Sequence, residues 1–351
     1  MGFKYPLVYL YPLIIFNFLI MNFKSKIDTV VPKAINKVGY ILNPLLLKIF
    51  KEEGQLLIFY FHGLYRNLED RKLKHVDPQN NITVDQFSDF IEYFIRNKYQ
   101  FIGPEDLDDL SGEKPYIMIT FDDGYFNNTW SLPVLKKYKV PATFFISTYN
   151  LLENKSFWWD VVYKFRTQEG VDLGIIRREQ QNLKRFKYHE INAYLEEKFG
   201  SDCFLPWSDV DRPMTDEELK VFSAEEYVNI GNHTHNHGIL TNHSETEILE
   251  EFKTSNTILD RITGQVPKTM AFPNGNFDLN ILRIAKEIGY KCAFTTQGLT
   301  NRLPHGNDEM LLLNRFMARP VPISNYGSFS RLGYDGDTLY NGFKDKVMNL
   351  I

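Results

Sequence analysis

The chain of 351 residues is 43% hydrophobic, 15% aromatic and 24% charged, enough apolar material for one large core or two modest ones, and this excludes disorder as its main state. Forty Lys and Arg against 44 Asp and Glu leave a formal charge of −4, so no basic field argues for nucleic acid as a partner. Two cysteines, Cys203 and Cys292, stand far apart without a CxxC pair, which excludes a disulfide-stapled scaffold.

Residues 5–23, YPLVYLYPLIIFNFLIMNF, approach the roughly 20 apolar residues that cross a bilayer. Pro6, Pro12, Asn17 and Asn22 interrupt the run, Lys4, Lys24 and Lys26 flank it, and no small-residue cleavage site follows. The expectation is membrane association through an uncleaved anchor or interfacial segment; the alternatives are a hydrophobic extension packed on the domain and a start at Met21. Residues 1–54 are read as this segment with its lead-in.

From Gln55 onward, short apolar runs alternate with amphipathic stretches, the pattern of strands joined by helices into a parallel sheet or barrel. QLLIFYF (55–61) predicts a buried strand. Thr83 and Gln86 form a capping box ahead of Phe87, Phe90, Ile91, Phe94 and Ile95, which recur on one helical face. YIMITF (116–121) is apolar on both faces and runs directly into Asp122, Asp123 and Gly124. A helix over Trp130–Tyr138 and a strand ATFFIS (142–147) complete a βαβ unit. Residues 150–213, which contain FWWDVVYKF and the basic run IIRREQQNLKRFKYH, break the rhythm and are read as a partly helical insertion. A helix capped by Thr215 and Glu218, a strand YVNIG, the cluster NHTHNH (232–237) and a helix from Ser244 to Gly264 follow. Strand KTMAF leads into Pro273-Asn274-Gly275; a helix to Ile288, YKCAFTT and a last strand LLLNRF (311–316) complete the pattern. The expected fold is a single, barrel-like α/β domain over 55–330 with its chemistry at the strands' C-terminal ends, and a tail over 331–351.

Asp122 and Asp123 are adjacent carboxylates after a buried strand, with a glycine behind them that permits a sharp turn; one can bind a metal while the other handles protons, or the pair is simply turn chemistry. His233 and His237 are four residues apart, and on one helical turn that spacing puts two rings on the same side, as a divalent metal requires. Neutral imidazole suits zinc, cobalt or nickel, and one added carboxylate completes a facial set with open positions. His235 is expected to point elsewhere, and His243 lies outside the spacing. His62 follows the first strand and Arg315 ends the last one; Arg315 either orients a carboxylate through paired hydrogen bonds or forms a structural ion pair.

TFDDGY at 120–125, HTHNH at 233–237 and FPNG at 272–275 together resemble the polysaccharide deacetylase family, the NodB-homology group of carbohydrate esterases (carbohydrate esterase family 4). The similarity runs over roughly residues 55–320. It implies a distorted (β/α) barrel and metal-dependent removal of acetyl groups from N-acetylated sugars. Asp122 looks like the general base, Asp123, His233 and His237 the ligands of one divalent metal, zinc or else cobalt or nickel, and the backbone N–H near Asn274 an oxyanion donor. Two positions depart from the family pattern. Ala271 stands where many members carry an Arg, and Arg315 is the candidate replacement. No Leu-x-His follows Arg315, and His305 sits in a Pro/Gly/Asn loop that fits a proton donor badly. The circularly permuted branch acting on exopolysaccharides such as poly-N-acetylglucosamine carries its catalytic His on the first strand, which makes His62, in Tyr60-Phe61-His62, the expected acid. The implied activity is N-deacetylation of a surface or exported polysaccharide at the cell envelope or membrane, with a cytoplasmic location as the alternative. Rival readings are a deacetylase of a small or lipid-linked sugar or of an O-acetyl ester, and a glycan-binding homologue without turnover. FWWD (157–160) and Trp207 either stack on sugar rings or form the core of the insertion.

Overall fold

Strand β1 (Gln55–Phe61) is buried along six of its seven residues, because a parallel strand covered on both sides has no solvent face. The computed structural model describes residues 54–79, 82–302 and 310–318; the expected N-terminal segment, His305 and the tail lie outside the described residues. Strands β2 (Tyr116–Phe121), β3 (Ala142–Ile146), β4 (Val228–Asn232), β5 (Thr269–Ala271) and β6 (Cys292–Phe294) follow β1 in sequence order, each parallel to its neighbour.

The last expected strand is two strands. β7 (Leu311–Leu313) pairs with β6 through Phe294 and Leu313, and β8 (Phe316–Met317) pairs with β1 through Phe59 and Phe316. The break has a physical cause. The Asn301 side chain accepts from the Asn314 N–H at 2.9 Å and donates to the Asn314 carbonyl at 2.9 Å, so Asn314 leaves the ladder. One short segment therefore bonds both ends of the sheet, and the parallel strands curl into the distorted barrel expected from the sequence.

Helix α1 (Val84–Arg96) begins with the expected capping box: Thr83 Oγ1 accepts from Gln86 N–H at 3.3 Å and Gln86 Oε1 accepts from Thr83 N–H at 3.0 Å. Its buried face, Phe87, Phe90, Ile91 and Phe94, meets the outward-facing residues of β1 and β2. Phe61 stacks on Phe121 at 5.0 Å and Phe121 on Phe144 at 4.9 Å, while Phe87 stands edge-on to Phe61 at 5.3 Å. Burying each such side chain contributes about 1.5–3 kcal/mol. Where a helix over 130–138 was expected, a 3-10 turn (Phe126–Ser131) precedes a shorter helix α2 (Leu132–Tyr138), which carries Pro133 in its first turn.

The insertion contains helices α3 (Trp158–Gln168), α4 (Leu173–Leu183) and α5 (Tyr188–Phe199), packed on a core of their own that includes Val161, Ile176, Leu183, Leu195 and Phe204. The stretch that follows is tied down by a buried ion pair: Lys164 Nζ reaches Asp211 at 3.0 Å, Ser156 Oγ at 3.1 Å and the Leu205 carbonyl at 3.0 Å. Beyond it, α6 (Asp216–Ser223), α7 (Glu245–Thr263) and α8 (Leu279–Ile288) cover the outside of β4 to β6; α7 ends at Gly264 and α8 at Gly289, both left-handed. Among the described residues no helix is long and apolar enough to cross a membrane.

Strand parity decides what faces the inside. Leu56, Ile58, Met118, Phe145, Ala271, Phe294 and Leu313 share one buried cluster within the barrel. Side chains two residues further along lie on the same face, so Tyr60, Thr120, Asp122 and Arg315 continue the interior face towards the strands' C-terminal ends. Gly231 is required by the same packing, since a Cβ there would meet the Phe145 ring at 2.4 Å.

Candidate functional site

Backbone bonds that extend the sheet beyond its strands fasten the motif residues in place. Asp122 N–H donates to the Phe61 carbonyl at 2.8 Å, Ser147 N–H to the Asp123 carbonyl at 3.1 Å, and His233 N–H to the Ile146 carbonyl at 3.0 Å. Asp123 has φ 76° and Gly124 φ 89°, which turns the two adjacent carboxylates into different surroundings. A non-glycine residue in that region costs on the order of 1–3 kcal/mol. Asp123, Thr234, His237 and Asn274, one to two residues in each motif stretch, all carry such strain.

Asp122 meets Arg315. The guanidinium, fully buried, donates Nη1 to Asp122 Oδ1 at 2.7 Å and Nη2 to Oδ2 at 2.8 Å, with Nη1 also on Thr120 Oγ1 at 3.0 Å and Nε on the Thr295 carbonyl at 2.9 Å. The aromatic face of Tyr60 lies 4.8 Å from the guanidinium carbon. Burial would raise the Asp122 carboxyl, but the adjacent Arg315 charge, helped by His233 and His62, holds it below the ordinary carboxylate range. The paired hydrogen bonds to a carboxylate weighed for Arg315 are present, and they come from outside the strand that carries Ala271. Sequence reasoning missed Thr120 and Thr295, the groups that hold Arg315; the two-residue parity of YIMITFDD carries the signal for Thr120.

Asp123 meets imidazoles. Its Oδ1 lies 3.4 Å from His233 Nε2 and 3.1 Å from His237 Nε2, and one donor atom from each of the three residues falls within 4.8 Å of the others. His233 Nδ1 is 2.8 Å from the Ala271 carbonyl, which can only accept, so the ring carries its hydrogen on Nδ1 and turns the Nε2 lone pair towards Asp123. Both Asp123 carboxylate oxygens are buried without a hydrogen-bond donor among the described residues. Two buried oxygens facing an imidazole lone pair lack a positive partner, and a divalent cation is what this donor set fits. Burial lowers His237, which keeps the ring neutral, as ligation requires.

The two histidines do not share a helical turn. HTHNH (233–237) is a loop directly after β4, with Thr234 at φ 64° and His237 at φ 51°. Asn232 Oδ1 accepts from Thr234 N–H at 2.6 Å, while Glu251 Oε2 on α7 accepts from His235 N–H at 2.9 Å and Asn236 N–H at 2.8 Å. These bonds to side chains outcompete helix formation and still bring the rings to 4.8 Å between centroids. His235 points elsewhere, with Nδ1 2.9 Å from Thr148 Oγ1. His243 lies outside the site, its Nδ1 3.0 Å from the Ile239 carbonyl.

Tyr60, His62, Asp122, Asp123, His233, His237 and Asn274 line one cavity of about 490 Å³. The FPNG turn places Asn274 there with φ 57°, followed by Gly275 at φ 75°, where a Cβ would strike Thr296 Oγ1 at 1.9 Å. The insertion supplies the opposing wall, including Trp158, Trp159, Gln180, Lys184 and Tyr188. Trp159 packs 4.6 Å from the His237 ring, and its Nε1 donates to Tyr125 Oη at 2.9 Å; Tyr125 Oη is 2.6 Å from the Asp160 carboxylate. Of the expected aromatic surfaces, Trp158 and Trp159 line the cavity, Trp159 also stacks on the buried Phe157 at 4.9 Å, and Trp207 packs against Phe165 at 5.5 Å and beneath the Lys164 ammonium at 4.9 Å.

The polysaccharide deacetylase family model matches residues 109–293, slightly more than half of the chain. No curated protein matches it. Among solved structures, a polysaccharide deacetylase from Bacillus cereus is similar at 17% identity with a TM-score of 0.54, over 79% of this chain and 69% of that one. A Streptococcus pyogenes deacetylase in complex with acetate is similar at 20% identity and TM-score 0.51, over 76% and 93%. IcaB from Ammonifex degensii is similar at 17% identity and TM-score 0.53, over 79% and 97%. These structures share the fold of the barrel, the family model spans all three motifs, and the chain belongs to the polysaccharide deacetylase family, as a deacetylase enzyme.

Proposed function

We propose that the protein is a metal-dependent N-deacetylase of N-acetylated amino sugars in a surface or exported polysaccharide. The observation that carries this reading is the pair of adjacent carboxylates with opposite partners in one cavity: Asp122 on Arg315, Asp123 on two imidazoles. Asp123, His233 and His237 would hold the cation. When bound, it supplies Lewis acidity to the acetyl carbonyl and makes water acidic enough to lose a proton near neutral pH.

The chain's own residues supply the rest. Asp122, kept ionised and fixed by Arg315, receives the proton of the attacking water through the lone pairs that the guanidinium leaves free. The Asn274 backbone N–H, at the strained FPNG turn, stabilises the oxygen that becomes negative as the carbonyl carbon turns tetrahedral. His62 lines the same cavity and donates a proton to the departing amine, without which an amide nitrogen leaves very slowly. A first-strand acid is what the permuted branch uses, and the pairing of Arg315 with Asp122 supports turnover despite Ala271.

Acetate release from a panel of N-acetylated and O-acetylated glycans, with and without zinc, cobalt and nickel, tests the reading. Metal-stimulated release from N-acetylglucosamine oligomers supports it. Release from esters alone, or from none of the panel, sinks it. Membrane association through residues 5–23 belongs to the same proposal; fractionation of the full chain against one starting at Met21 checks it, and equal solubility without detergent contradicts it.

A further inference from the structure

The basic run IIRREQQNLKRFKYH, residues 175–189, carries five Lys and Arg against one Glu in a chain of net charge −4, and the deacetylation step uses none of it. The structure brings part of this run into the cavity. Lys184 caps the C-terminal end of α4, is half-buried, and lines the same space as Asp122, Asp123 and His62. Its Nζ donates to Asn274 Oδ1 at 2.6 Å, so the ammonium stands beside the FPNG turn.

The guanidinium groups around it are already matched. Arg315 is paired with Asp122 at 2.7 Å. Arg177 is paired with Asp77 at 2.5 Å, and Gln180 Nε2 donates to the same carboxylate at 2.7 Å. Asp123 faces the imidazoles. The Lys184 ammonium forms no ion pair among the described residues, and its hydrogen-bond acceptor there is a neutral amide. Burial, opposed by Asp77 at longer range, pulls its pKa below the ordinary lysine value, which marks an ammonium short of compensation. A partly desolvated cation of this kind is stabilised most by an anion brought next to it. Trp158 and Tyr188 on the same wall offer aromatic faces to the apolar side of a sugar ring.

We propose that Lys184 reads a negative charge on the substrate, so that the preferred glycan carries a carboxylate or phosphate close to the N-acetylated sugar. This rests on the deacetylase reading and adds to it the chemical class of the chain that is deacetylated. Lys184 is a specificity residue here, and the ammonium acts as a point charge that serves either acidic group.

The test compares acetate release by the metal-loaded full-length enzyme on three probes: a neutral N-acetylglucosamine oligomer, an oligomer alternating N-acetylglucosamine with glucuronate, and a phosphate-bearing N-acetylglucosamine oligomer. The wild type is expected to turn over at least one acidic probe with kcat/KM about tenfold or more above the neutral one, chiefly through KM, as a charge-assisted hydrogen bond provides. Lys184→Gln should bring that ratio close to one, and Lys184→Arg should keep most of it. Which acidic probe is preferred identifies the charged group. Equal efficiency on all three probes, or an equal loss on acidic and neutral probes in Lys184→Gln, overturns the inference while leaving the deacetylase reading intact. If no probe releases acetate, the deacetylase reading fails, and direct calorimetric binding of the acidic and neutral oligomers to wild type and Lys184→Gln still decides the role of Lys184: preferential binding lost in the variant supports it, and indifferent binding rejects it.

Discussion

The cavity has two walls built on different principles. On the barrel side, backbone bonds that extend the sheet hold Asp122, Asp123 and His233 at strand ends, and positive φ values aim the side chains. On the insertion side, helices α3 to α5 pack on their own core and present side chains through ordinary helical surfaces. A reacting group misplaced by an ångström loses much of its effect, so its placement belongs on a bonded sheet. A wall that recognises a glycan tolerates replacement, and helices beyond the barrel allow it to change without disturbing the chemistry. The two walls touch through Trp159 against His237 and Lys184 on Asn274.

Changes on the barrel wall should be the most damaging. His233→Ala or Asp123→Ala is expected to abolish both bound metal and turnover, measured by elemental analysis of purified protein and by acetate release; metal retained at one per chain in both variants would remove the cation from those residues. Arg315→Met should follow closely, since it leaves the Asp122 carboxylate buried without its counter-charge: about 3–5 kcal/mol of stability by denaturant titration, together with most of the activity. A melt unchanged from wild type would show that Asp122 is compensated by something else. His62→Ala should lose hydrolysis of an N-acetyl substrate by about 10²- to 10⁴-fold and lose far less on an activated acetate ester, which needs no protonated leaving group. Equal loss on both would assign His62 a structural role.

The contact between the walls should respond more gently. Trp159→Phe keeps an aromatic ring against His237 but removes the Nε1 bond to Tyr125 and part of the buried indole, so thermal denaturation should report about 1–3 kcal/mol, and metal content should stay near one. If that variant loses its metal, the insertion takes part in holding the site and the division between walls fails. The smallest effect is expected at Asp160. Burial holds its carboxyl well above the usual range despite bonds from Tyr125 and the Asp77 N–H. The folded protein therefore keeps a proton that the unfolded chain releases near pH 4. Stability contributed by that proton is complete below about pH 4 and is lost as pH rises towards the raised folded value. Asp160→Asn has no such loss, so its melting temperature should gain on the wild type between pH 4 and pH 7; parallel curves would contradict the assignment.

The contrast between the walls also separates what was legible in the sequence from what was not. Strand and helix positions of the barrel came from local signals: the apolar runs 55–61 and 116–121, the capping boxes at Thr83, Thr215 and Ser244, and the glycines at 264 and 289. Asp122, Asp123, His233 and His237 were readable because chemistry concentrates them in short motifs. Arg315 was readable only as a strand-end cation, since its partner lies 193 residues away and nothing local names it. The break at Asn314 depends on the Asn301 side chain, again a distant group. The expectation of a helical turn for His233 and His237 failed because Glu251 and Asn232 take the backbone N–H groups of that loop. The insertion's contribution to the cavity had one local signal, the aromatic run FWWD (157–160), whereas Lys184 gains meaning only from its position beside the FPNG turn.

Two adjacent carboxylates with separate duties are the centre of this account, and one paired measurement addresses them most directly: bound metal and single-substrate turnover in Asp122→Asn beside His233→Ala. The account predicts that Asp122→Asn keeps about one metal per chain and loses turnover by about 10²- to 10⁴-fold, while His233→Ala loses the metal and the activity together. Wild-type turnover in metal-loaded Asp122→Asn, or full metal content in His233→Ala, would contradict it.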